Sequence, residues 1–404
     1  MSSPPHLSSP PHTSSRTPDV LVVGGGIIGL VTAWRAAQRG LGTALVDPEP
    51  GGGAASVAAG MLAAVTELHY GEQTLLALNL ASARRYPRFA AELADATGHD
   101  LGYRRCGTLA VALDADDRAH LRELHALQQR SGLESEWLSG RECRRLEPML
   151  APGVRGGLRV DGDHQIDPRR LAGALVAACE GAGVVFHREW AERLTVGRGG
   201  RATGVVTADG TVLEAGQVVL AGGCLSGRLK GVPDDVLPPV RPVKGQVLRL
   251  AMPRTHGPLL NRTVRAVVRG NPLYLVPRES GELVVGATSE ELGWDTTVTA
   301  GGVYELLRDA HDLVPGITEL PLTETRAGLR PGSPDNAPLL GPTGLDGLLL
   351  ATGHYRNGVL LTPVTGDVMA DVLTTGELPA EARPFTPRRF GADPALPRLS
   401  EQPA

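Results

Sequence analysis

The first fifty residues carry the clearest pattern of apolar and polar positions in the chain. Residues 19–23 form a short β-branched run that predicts a buried parallel strand. An alanine-rich helix follows and stops at Gly40, a residue type that commonly ends helices. Residues 43–46 predict a second strand, which ends at Asp47. This order of strand, helix and strand predicts a parallel βαβ unit.

Three glycines between the first strand and the helix give this unit its candidate chemistry. Gly24, Gly26 and Gly29 form the pattern GxGxxG, in which the first permits a tight turn and the second lets a pyrophosphate approach the backbone. The third lets the helix lie close to the strand. An acid at the position of Asp47 accepts a hydrogen bond from a ribose 2′-hydroxyl. The unit therefore predicts a dinucleotide site, and the glycine pattern is compatible with both NAD and FAD.

Later segments predict further parts of the same α/β domain. An alanine-containing helix leads to a strand at 184–187, followed by short strands around the turn Asp209-Gly210 and an apolar strand at 217–220. Near the C-terminus, a strand at 348–351 leads through a polar, glycine-containing loop into an apolar helix. A βαβ unit with an inserted β-meander and a final strand is the layout of an FAD-binding domain.

The segment after Asp47 bears on the choice between the two cofactors. Residues 48–65 are rich in glycine and alanine, where a nicotinamide domain usually proceeds to its third strand. Such a segment lets backbone amides line a long, extended cofactor, and the alternative is a flexible surface loop. Together with the layout above, the segment favours a Rossmann-like α/β FAD-binding domain.

A second, substrate-binding domain is predicted on a mixed or antiparallel β-sheet. Residues 273–277 and 282–288 give a hairpin, in which Tyr274 lies among apolar neighbours, so core packing is the alternative to a binding role. Arg330 lies among glycines, prolines and apolar residues, and its nearest downstream acid is Asp335. A surface salt bridge is the usual role of an arginine. A guanidinium in such a constrained segment also matches a carboxylate through two parallel hydrogen bonds.

The chain is predicted to cross between the two domains more than once. Serine, proline and histidine dominate the N-terminus, and the C-terminus is similarly polar, so both ends are predicted to be flexible tails. The predicted division is a disordered tail at 1–18, an FAD-binding domain from 19–64, 148–228 and 335–378, a substrate-binding domain from 65–147 and 229–334, and a flexible tail at 390–404.

Composition narrows the choice of partners. The net charge is −4 with both signs scattered over 404 residues, so no basic face favours nucleic acid. No apolar run approaches the ~18 residues needed to span a bilayer, and the N-terminus lacks the apolar core of a secretory signal. The four cysteines form no CxxC pair and the histidines show no metal-ligand spacing. These features predict reduced thiols, a cytoplasmic protein and no metal site.

Six motifs in this order resemble the D-amino-acid-oxidase-like family of flavoproteins, and within it the glycine oxidases that supply glycine imine for the thiazole of thiamine. They are VVGGGIIG, AAGML, PVKGQ, YLVPRESGELVVGAT, AGLRPGSPDNAPLLG and GHYRNGVLLTP. The resemblance covers residues 19–377. It implies FAD as cofactor, held by a set of residues that begins with the glycines named above. The others are Ile27, Ile28, Asp47, Pro48, Ser56, Ala59, Gly60, Met61, Trp190, His354, Tyr355, Arg356, Asn357, Gly358, Val359 and Leu360.

The resemblance also implies the roles around the substrate. Arg330 would hold the carboxylate of the amino acid, Tyr274 would assist, and Arg356 is a second candidate at the flavin-side wall. Related sarcosine oxidases carry a lysine where this chain has Leu360, and a flavin-linking cysteine where it has Gly328. Their absence here favours a primary amine and non-covalent FAD. Family members commonly carry an arginine and threonines before AAGM; this chain has glycine and alanine there, which leaves Ser56 as the side-chain donor for the pyrophosphate.

The implied reaction is oxidative deamination of glycine, and of sarcosine or D-alanine among other small amines. A hydride passes from Cα to flavin N5, oxygen reoxidises the flavin to give peroxide, and the imine is captured or hydrolysed to glyoxylate and ammonia. The resemblance further implies a homo-oligomer and thiazole synthase as a downstream partner. A dehydrogenase for D-amino acids that uses a quinone, a sarcosine-type oxidase and a non-catalytic flavin-binding module stay open as alternatives.

Overall fold

The computed structural model describes residues 17–252 and 258–390, so almost all of both predicted tails lies outside the described residues. The helices are α1 (Ile27–Gln38), α2 (Gln73–Thr97), α3 (Ala115–Arg130), α4 (Gly140–Leu146), α5 (Pro168–Gly181), α6 (Ala300–Leu313) and α7 (Thr362–Thr375). The strands are β1 (Val20–Val23), β2 (Thr43–Val46), β3 (Met61–Leu62), β4 (Thr108–Ala112), β5 (Glu136–Ser139), β6 (Gly156–Val160), β7 (His164–Gln165), β8 (Val185–His187), β9 (Ala191–Val196), β10 (Ala202–Thr207), β11 (Val212–Glu214), β12 (Gln217–Leu220), β13 (Arg241–Ala251), β14 (Thr263–Val268), β15 (Asn271–Pro277), β16 (Glu282–Gly286), β17 (Leu322–Gly332), β18 (Leu339–Pro342) and β19 (Leu348–Thr352).

A six-stranded sheet forms the first half of the structure. Its order is β18-β19-β12-β1-β2-β8, and all neighbours are parallel except β18 and β19. Helices α1, α5 and α7 pack on one face, and the antiparallel sheet β11-β10-β9 covers the other. Because both faces are buried, β1 and β2 are apolar throughout rather than alternating. The predicted strands, the first helix and the β-meander are confirmed.

An eight-stranded sheet forms the second half. Its order is β17-β13-β16-β15-β14-β4-β6-β5, with antiparallel neighbours apart from the parallel pair β14 and β4. The predicted hairpin is β15 and β16, which pair antiparallel. Helix α6 packs its apolar face on one side of this sheet. The prediction of a mixed sheet in this half is confirmed.

Two segments lie with a different sheet from the one predicted. Strand β6 pairs with β4 and β5 in the eight-stranded sheet, although residues 148–228 were placed with the FAD-binding part. Helix α2 packs on α5 and α7 of the first half, although residues 65–147 were placed with the substrate-binding part. A five-residue strand and an amphipathic helix bury their apolar faces equally well against either layer, so their sequences do not name the partner.

The cysteines lie apart in the fold. Cys143, Cys179 and Cys224 are buried, Cys106 is half-buried, and none is in a disulfide. Burial raises the pKa of the Cys224 thiol to about 12. Within residues 17–252 and 258–390, no helix combines the length and the apolarity needed to cross a membrane. The same residues contain no group of three or more His, Cys, Asp or Glu side chains arranged to hold a metal ion.

Candidate functional site

The turn between β1 and α1 combines close backbone packing with open space. A Cβ on Gly24 would lie 2.6 Å from the carbonyl oxygen of Ala221, and a Cβ on Gly29 would overlap the carbonyl oxygen of Gly24. A Cβ on Gly26 would meet nothing within 4 Å. The first turn of α1 contains Ile27 and Ile28 and no acid, and Gly26 caps the helix without a side-chain hydrogen bond. The free N–H groups of this turn face a space suited to an anion.

Asp47 lies at the end of β2 and contacts the glycine turn. Its Oδ2 accepts a hydrogen bond from the N–H of Gly25 at 2.7 Å, and its Oδ1 accepts from the N–H of Glu49 at 2.8 Å. The carboxylate therefore fixes the glycine turn, and each oxygen keeps a lone pair for a ribose hydroxyl. Pro48 follows it, and Trp190, whose side chain is exposed, lies just before β9 in the neighbouring part of the structure.

The hydroxyl of Ser56 is already engaged. It donates to the carbonyl oxygen of Gly53 at 2.8 Å within a short 3-10 turn. Because a hydroxyl has one proton to donate, Ser56 would have to release the Gly53 carbonyl to form the predicted bond to a pyrophosphate. Arg169 at the start of α5 instead holds this turn, since its Nε donates to the Ser56 carbonyl at 2.8 Å while its guanidinium pairs with Glu324.

The segment Ala59–Met61 crosses between the two sheets. Gly60 has a φ of +76°, and a Cβ there would overlap the carbonyl oxygen of Ile166, so only glycine fits. The carbonyl oxygen of Ala59 accepts a hydrogen bond from the buried guanidinium of Arg278, which also donates to the Ile166 carbonyl at 2.8 Å. Burial lowers the pKa of Arg278 to about 10. A buried arginine thus joins the crossing segment to the eight-stranded sheet.

The loop from His354 to Leu360 lies beside the end of β17. A backbone bridge joins His354 to Gly332, and the loop is fastened to α2, where the hydroxyls of Tyr86 and Ser82 donate to the carbonyl oxygens of Val359 and Leu360 at 2.5 and 2.6 Å. Tyr355 has a positive φ of 48°. Asn357 and Gly358 complete the turn that leads into α7, and the buried Nδ2 of Asn357 has no hydrogen-bond partner among the described residues.

Tyr274 lies on β15 between the two halves of the structure. Its ring covers Gly286 on the paired strand β16, where a Cβ would lie 2.5 Å from Cζ of the tyrosine. The ring also packs against the buried clusters that contain Val57 and Ala59. Burial raises the pKa of the Tyr274 hydroxyl, and the adjacent Arg330 guanidinium opposes this shift. The hydroxyl therefore stays protonated at neutral pH.

Arg330 lies on β17 with its guanidinium over Gly245 of the paired strand β13. A Cβ on Gly245 would lie 2.6 Å from Cζ of Arg330, so the strand glycine makes room for the charged group. The Nη1 of Arg330 donates to the carbonyl oxygens of Lys244 at 3.3 Å and Thr288 at 3.2 Å. Both partners of this cation are neutral.

In the described part of the chain, Arg330 forms no salt bridge. Asp335, the nearest acid downstream in sequence, pairs with Arg389, whose Nε lies 2.8 Å from its Oδ2. The surface salt bridge considered from the sequence is therefore not formed with that acid. A half-buried guanidinium next to a tyrosine hydroxyl and without a carboxylate partner is a site that favours an anionic ligand.

Arg356 has a different environment from the one predicted for a substrate ligand. Its Nη2 forms an ion pair with Glu72, and its Nε lies 4.0 Å from Glu67. Glu67 in turn pairs with Arg265 at 2.8 Å. Because acids from the 67–72 segment already neutralise Arg356, its geometry supports a role in fixing the 354–360 loop rather than in binding a carboxylate.

Two parts of the structure fit FAD. The acid-free N-terminus of α1 and the open space at Gly26 suit a pyrophosphate, and the carboxylate of Asp47 beside this turn suits a ribose hydroxyl. Within the 354–360 loop predicted to border the flavin ring, the buried Nδ2 of Asn357 has no partner among the described residues and provides a hydrogen-bond donor.

Comparison with known proteins decides the family. The model of the family described as FAD dependent oxidoreductase matches residues 19–372. The chain belongs to the FAD-dependent oxidoreductase family. Its cofactor is FAD, as the sequence predicted.

Individual relatives cover nearly the whole chain. The glycine oxidase of Geobacillus kaustophilus is 35% identical over 91% of this chain and 96% of its own length, and a crystal structure of glycine oxidase from that organism superimposes with a TM-score of 0.86, covering 93% of this chain and 99% of that one. The bifunctional protein ThiO/ThiG of Synechocystis is 36% identical over 96% of this chain but only 56% of its own length. The chain thus spans about half the length of the bifunctional relatives it matches. The hydrogen cyanide synthase subunit HcnC of Pseudomonas aeruginosa is 31% identical over 94% of this chain and 98% of its own length.

Sequence reasoning missed several residues that build the site. Gly245 lies inside β13 and Gly286 is the last residue of β16, and an isolated strand glycine is a signal for close approach of another group. Arg278 follows the first strand of the predicted hairpin, but no local pattern indicated that it would be buried against Ala59, 219 residues away in the chain. The carbonyl oxygens of Lys244 and Thr288 carry no sequence signal at all.

The pH dependence of folding provides a test of the 354–360 loop. His354 is 2% exposed, its Nε2 lies 3.0 Å from the hydroxyl of Thr365, and burial lowers its pKa to about 3. The folded pKa lies below the unfolded value of about 6.5. The stability contributed by the neutral imidazole is therefore complete above pH ~6.5 and is lost as the pH falls towards 3, by up to about 1.4 kcal/mol per pH unit.

Denaturant unfolding of the wild type and of His354→Gln between pH 7.5 and 5 measures this dependence. We expect the free energy of unfolding of the wild type to fall more steeply with decreasing pH than that of the variant, because glutamine does not titrate. The same substitution at His120, an exposed residue of α3, is the matched control. Parallel curves for the wild type and His354→Gln would contradict a buried neutral imidazole.

Proposed function

We propose that the protein is an FAD-dependent amino-acid oxidase that deaminates glycine, with sarcosine and D-alanine as further candidate substrates. The observation that carries the proposal is the guanidinium of Arg330, which lies over Gly245, next to the hydroxyl of Tyr274, and has no acid partner among the described residues. The similarity to glycine oxidases over most of both chains supports it.

Arg330 is placed to hold the carboxylate of the substrate. Its hydrogen bonds to the two backbone carbonyls come from Nη1, and its side-chain neighbour is the hydroxyl of Tyr274. A carboxylate placed against Nη2 and Nε would accept two parallel bonds. The protonated hydroxyl of Tyr274 adds a donor beside them. Strands β15 and β17 thus place three donors around the substrate carboxylate. These contacts set the position of the substrate Cα and require no contact to a substrate side chain. A substrate that consists of little more than a carboxylate, Cα and an amine satisfies these contacts.

The chemistry that FAD supplies when bound is acceptance of a hydride from Cα and reoxidation by oxygen with release of peroxide. The contribution of the protein is to hold Cα close to the acceptor, which replaces a bimolecular encounter. His354 is engaged with Thr365 and stays neutral, and Glu67 and Glu72 are ion-paired, so none of them is assigned as a general base. The uncharged amine of the substrate carries the electron pair that forms the imine.

The attachment of FAD is proposed to be non-covalent. The position at which sarcosine oxidases carry the linking cysteine is Gly328, where a Cβ would lie 2.9 Å from Cγ2 of Val57. Cys224 is near this strand, and its thiol donates to the Leu329 carbonyl at 3.6 Å, but it is buried and its raised pKa disfavours the reactive thiolate. Gentle denaturation should therefore release FAD intact.

The product links the proposal to thiamine synthesis. The name of the Synechocystis relative joins ThiO to ThiG in one protein, and the match to this chain covers 56% of the length of that protein. We place the imine as a precursor for the thiazole of thiamine, with thiazole synthase as the downstream partner. A cytoplasmic location and a homo-oligomeric assembly belong to the same proposal and follow from the family resemblance.

An anaerobic titration separates this function from its alternatives and tests Arg330. We expect glycine to bleach the flavin absorbance of the wild type without oxygen, and peroxide to appear when oxygen is admitted. Arg330→Met should keep FAD bound and raise the glycine concentration needed for half-bleaching about a hundredfold or more, because a charge-assisted bidentate contact is lost.

The matched control is Arg326→Met, the same change four residues earlier on β17, where the side chain is half-exposed and pairs with Glu324. It should titrate like the wild type. Bleaching by sarcosine or D-alanine but not by glycine would change the substrate, and bleaching without peroxide would favour a dehydrogenase that uses a quinone. A flavin that no amine bleaches would favour the non-catalytic module. Equal half-bleaching concentrations for Arg330→Met and the wild type would contradict the proposal that Arg330 binds the substrate carboxylate.

A second substitution displaces the guanidinium and keeps its charge. Gly245→Ala places a methyl group 2.6 Å from Cζ and from Nη1 of Arg330, so the side chain must move. We expect KM for glycine to rise at least tenfold with FAD still bound, since the carboxylate contacts depend on position. Gly301→Ala on α6, where a Cβ meets nothing within 4 Å, is the control and should keep the wild-type KM. An unchanged KM in Gly245→Ala would show that the position of Arg330 does not matter.

A further inference from the structure

Lys244 is a fully buried lysine with two acid partners. It lies on β13 and its side chain has no exposed surface. Its Nζ lies 3.1 Å from Oδ2 of Asp295 and 3.4 Å from Oε2 of Glu290. Burial opposes the charge on this ammonium, but the two carboxylates outweigh it and raise the pKa of Lys244. The proposed reaction does not use this group.

Lys244 acts from the side of the sheet opposite Arg330. Side chains alternate between the faces of a strand, and Arg330 shares its face with Val243, its partner residue, and with Gly245, over which it lies. The side chain of Lys244 therefore points to the other face. It reaches the site only through its own backbone and through the segment that its ion pairs hold.

That segment, residues 288–299, is held to β13 by a dense set of polar contacts. Lys244 and Glu290 form a backbone bridge, in which the nitrogen of each residue lies 2.8 or 3.0 Å from the carbonyl oxygen of the other. Gln246 donates from Nε2 to Glu290 at 2.8 Å and accepts from the N–H of Thr299 at 2.9 Å. The hydroxyl of Thr288 donates to Glu290 at 2.5 Å. The carboxylate of Glu290 thus contacts the side chains of Lys244, Gln246 and Thr288 at the same time.

The two carbonyl oxygens that orient Arg330 both belong to this set. One is the carbonyl of Lys244, which also accepts from the N–H of Glu290, and the other is the carbonyl of Thr288. Movement of the 288–299 segment away from β13 would change the distance between these two oxygens. The Nη1 of Arg330 would then lose one acceptor, and the remaining N–H groups would turn away from the substrate carboxylate.

We propose that Lys244 is a positioning residue for the carboxylate-binding arginine: its ion pairs with Asp295 and Glu290 lock the backbone of residues 244 and 288 in the spacing that aims Arg330. The proposal rests on the proposed function, because the ligand of Arg330 is the substrate carboxylate. It assigns to a lysine on the far face of the sheet an effect on substrate affinity, without contact to substrate or FAD.

The test uses the FAD-loaded full chain and binding of acetate and glycolate, followed by the change in flavin absorbance, together with steady-state kinetics on glycine. We expect Lys244→Met to weaken binding of both carboxylates about tenfold or more and to raise KM by a similar factor, with a smaller change in kcat and unchanged FAD affinity. Lys244→Arg, which keeps the charge, should recover part of the affinity. Asp295→Asn keeps the acceptor for the N–H of Thr297 and removes only the charge facing Lys244, so it should act in the same direction and carries the test if Lys244→Met does not fold.

A double-substitution cycle separates positioning from general support of the fold. If Lys244 acts through Arg330, adding Lys244→Met to Arg330→Met should weaken carboxylate binding little further. The control Lys230→Met breaks an exposed ion pair with Glu192 and should bind carboxylates like the wild type. Wild-type affinity in both Lys244→Met and Asp295→Asn, or an equal loss with and without Arg330, would overturn the positioning role while the proposed function stands. A wild-type protein that binds neither carboxylate would overturn the proposed function and this inference with it.

Discussion

The site depends on the guanidinium of Arg330, which has no acid partner among the described residues. Arg330 is half-buried, and its Nη1 donates to the carbonyl oxygens of Lys244 and Thr288. Carbonyl dipoles orient a guanidinium without cancelling its charge, whereas a carboxylate would neutralise it. Acids near Tyr274 and Arg330 in space or in sequence are ion-paired elsewhere: Glu67 with Arg265, Glu72 with Arg356, and Asp335 with Arg389. The protein therefore presents an aimed positive charge whose natural complement is a small acid.

The rest of the architecture brings this cation to the cofactor. The six-stranded sheet provides the glycine turn, where Gly24 and Gly29 are packed tightly and Gly26 is open. The eight-stranded sheet provides Tyr274 and Arg330 on neighbouring parts of one face. Between the sheets, the segment Ala59–Met61 is fixed by the buried guanidinium of Arg278. Close backbone contact at glycines and buried arginine–carbonyl bonds thus set the geometry, and few of the predicted side chains are needed to shape it.

Local features of the fold could be predicted from sequence because their signals are local. Runs of apolar residues predicted the strands at Val20–Val23 and Thr43–Val46 and the hairpin that carries Tyr274, and the spacing of the glycines predicted the turn between the two strands. The environment of Arg356 could not be predicted from the sequence, because its partner Glu72 is 284 residues away in the chain. The hydrogen bond from the Ser56 hydroxyl to the Gly53 carbonyl depends on a 3-10 turn that no residue pattern predicted. The sheet to which β6 belongs, and the layer on which α2 packs, are likewise decided by tertiary contacts that either surface could have provided.

The most direct measurement of the central claim is a crystal structure of the FAD-loaded protein with glycolate bound. Glycolate carries the carboxylate of glycine but a hydroxyl in place of the amine, so it should occupy the same position without reacting. The account predicts both carboxylate oxygens at hydrogen-bond distance, about 2.7–3.0 Å, from Nη2 and Nε of Arg330, with the hydroxyl of Tyr274 beside them. Glycolate bound elsewhere in the cleft, with Arg330 turned towards a protein acid, would contradict it.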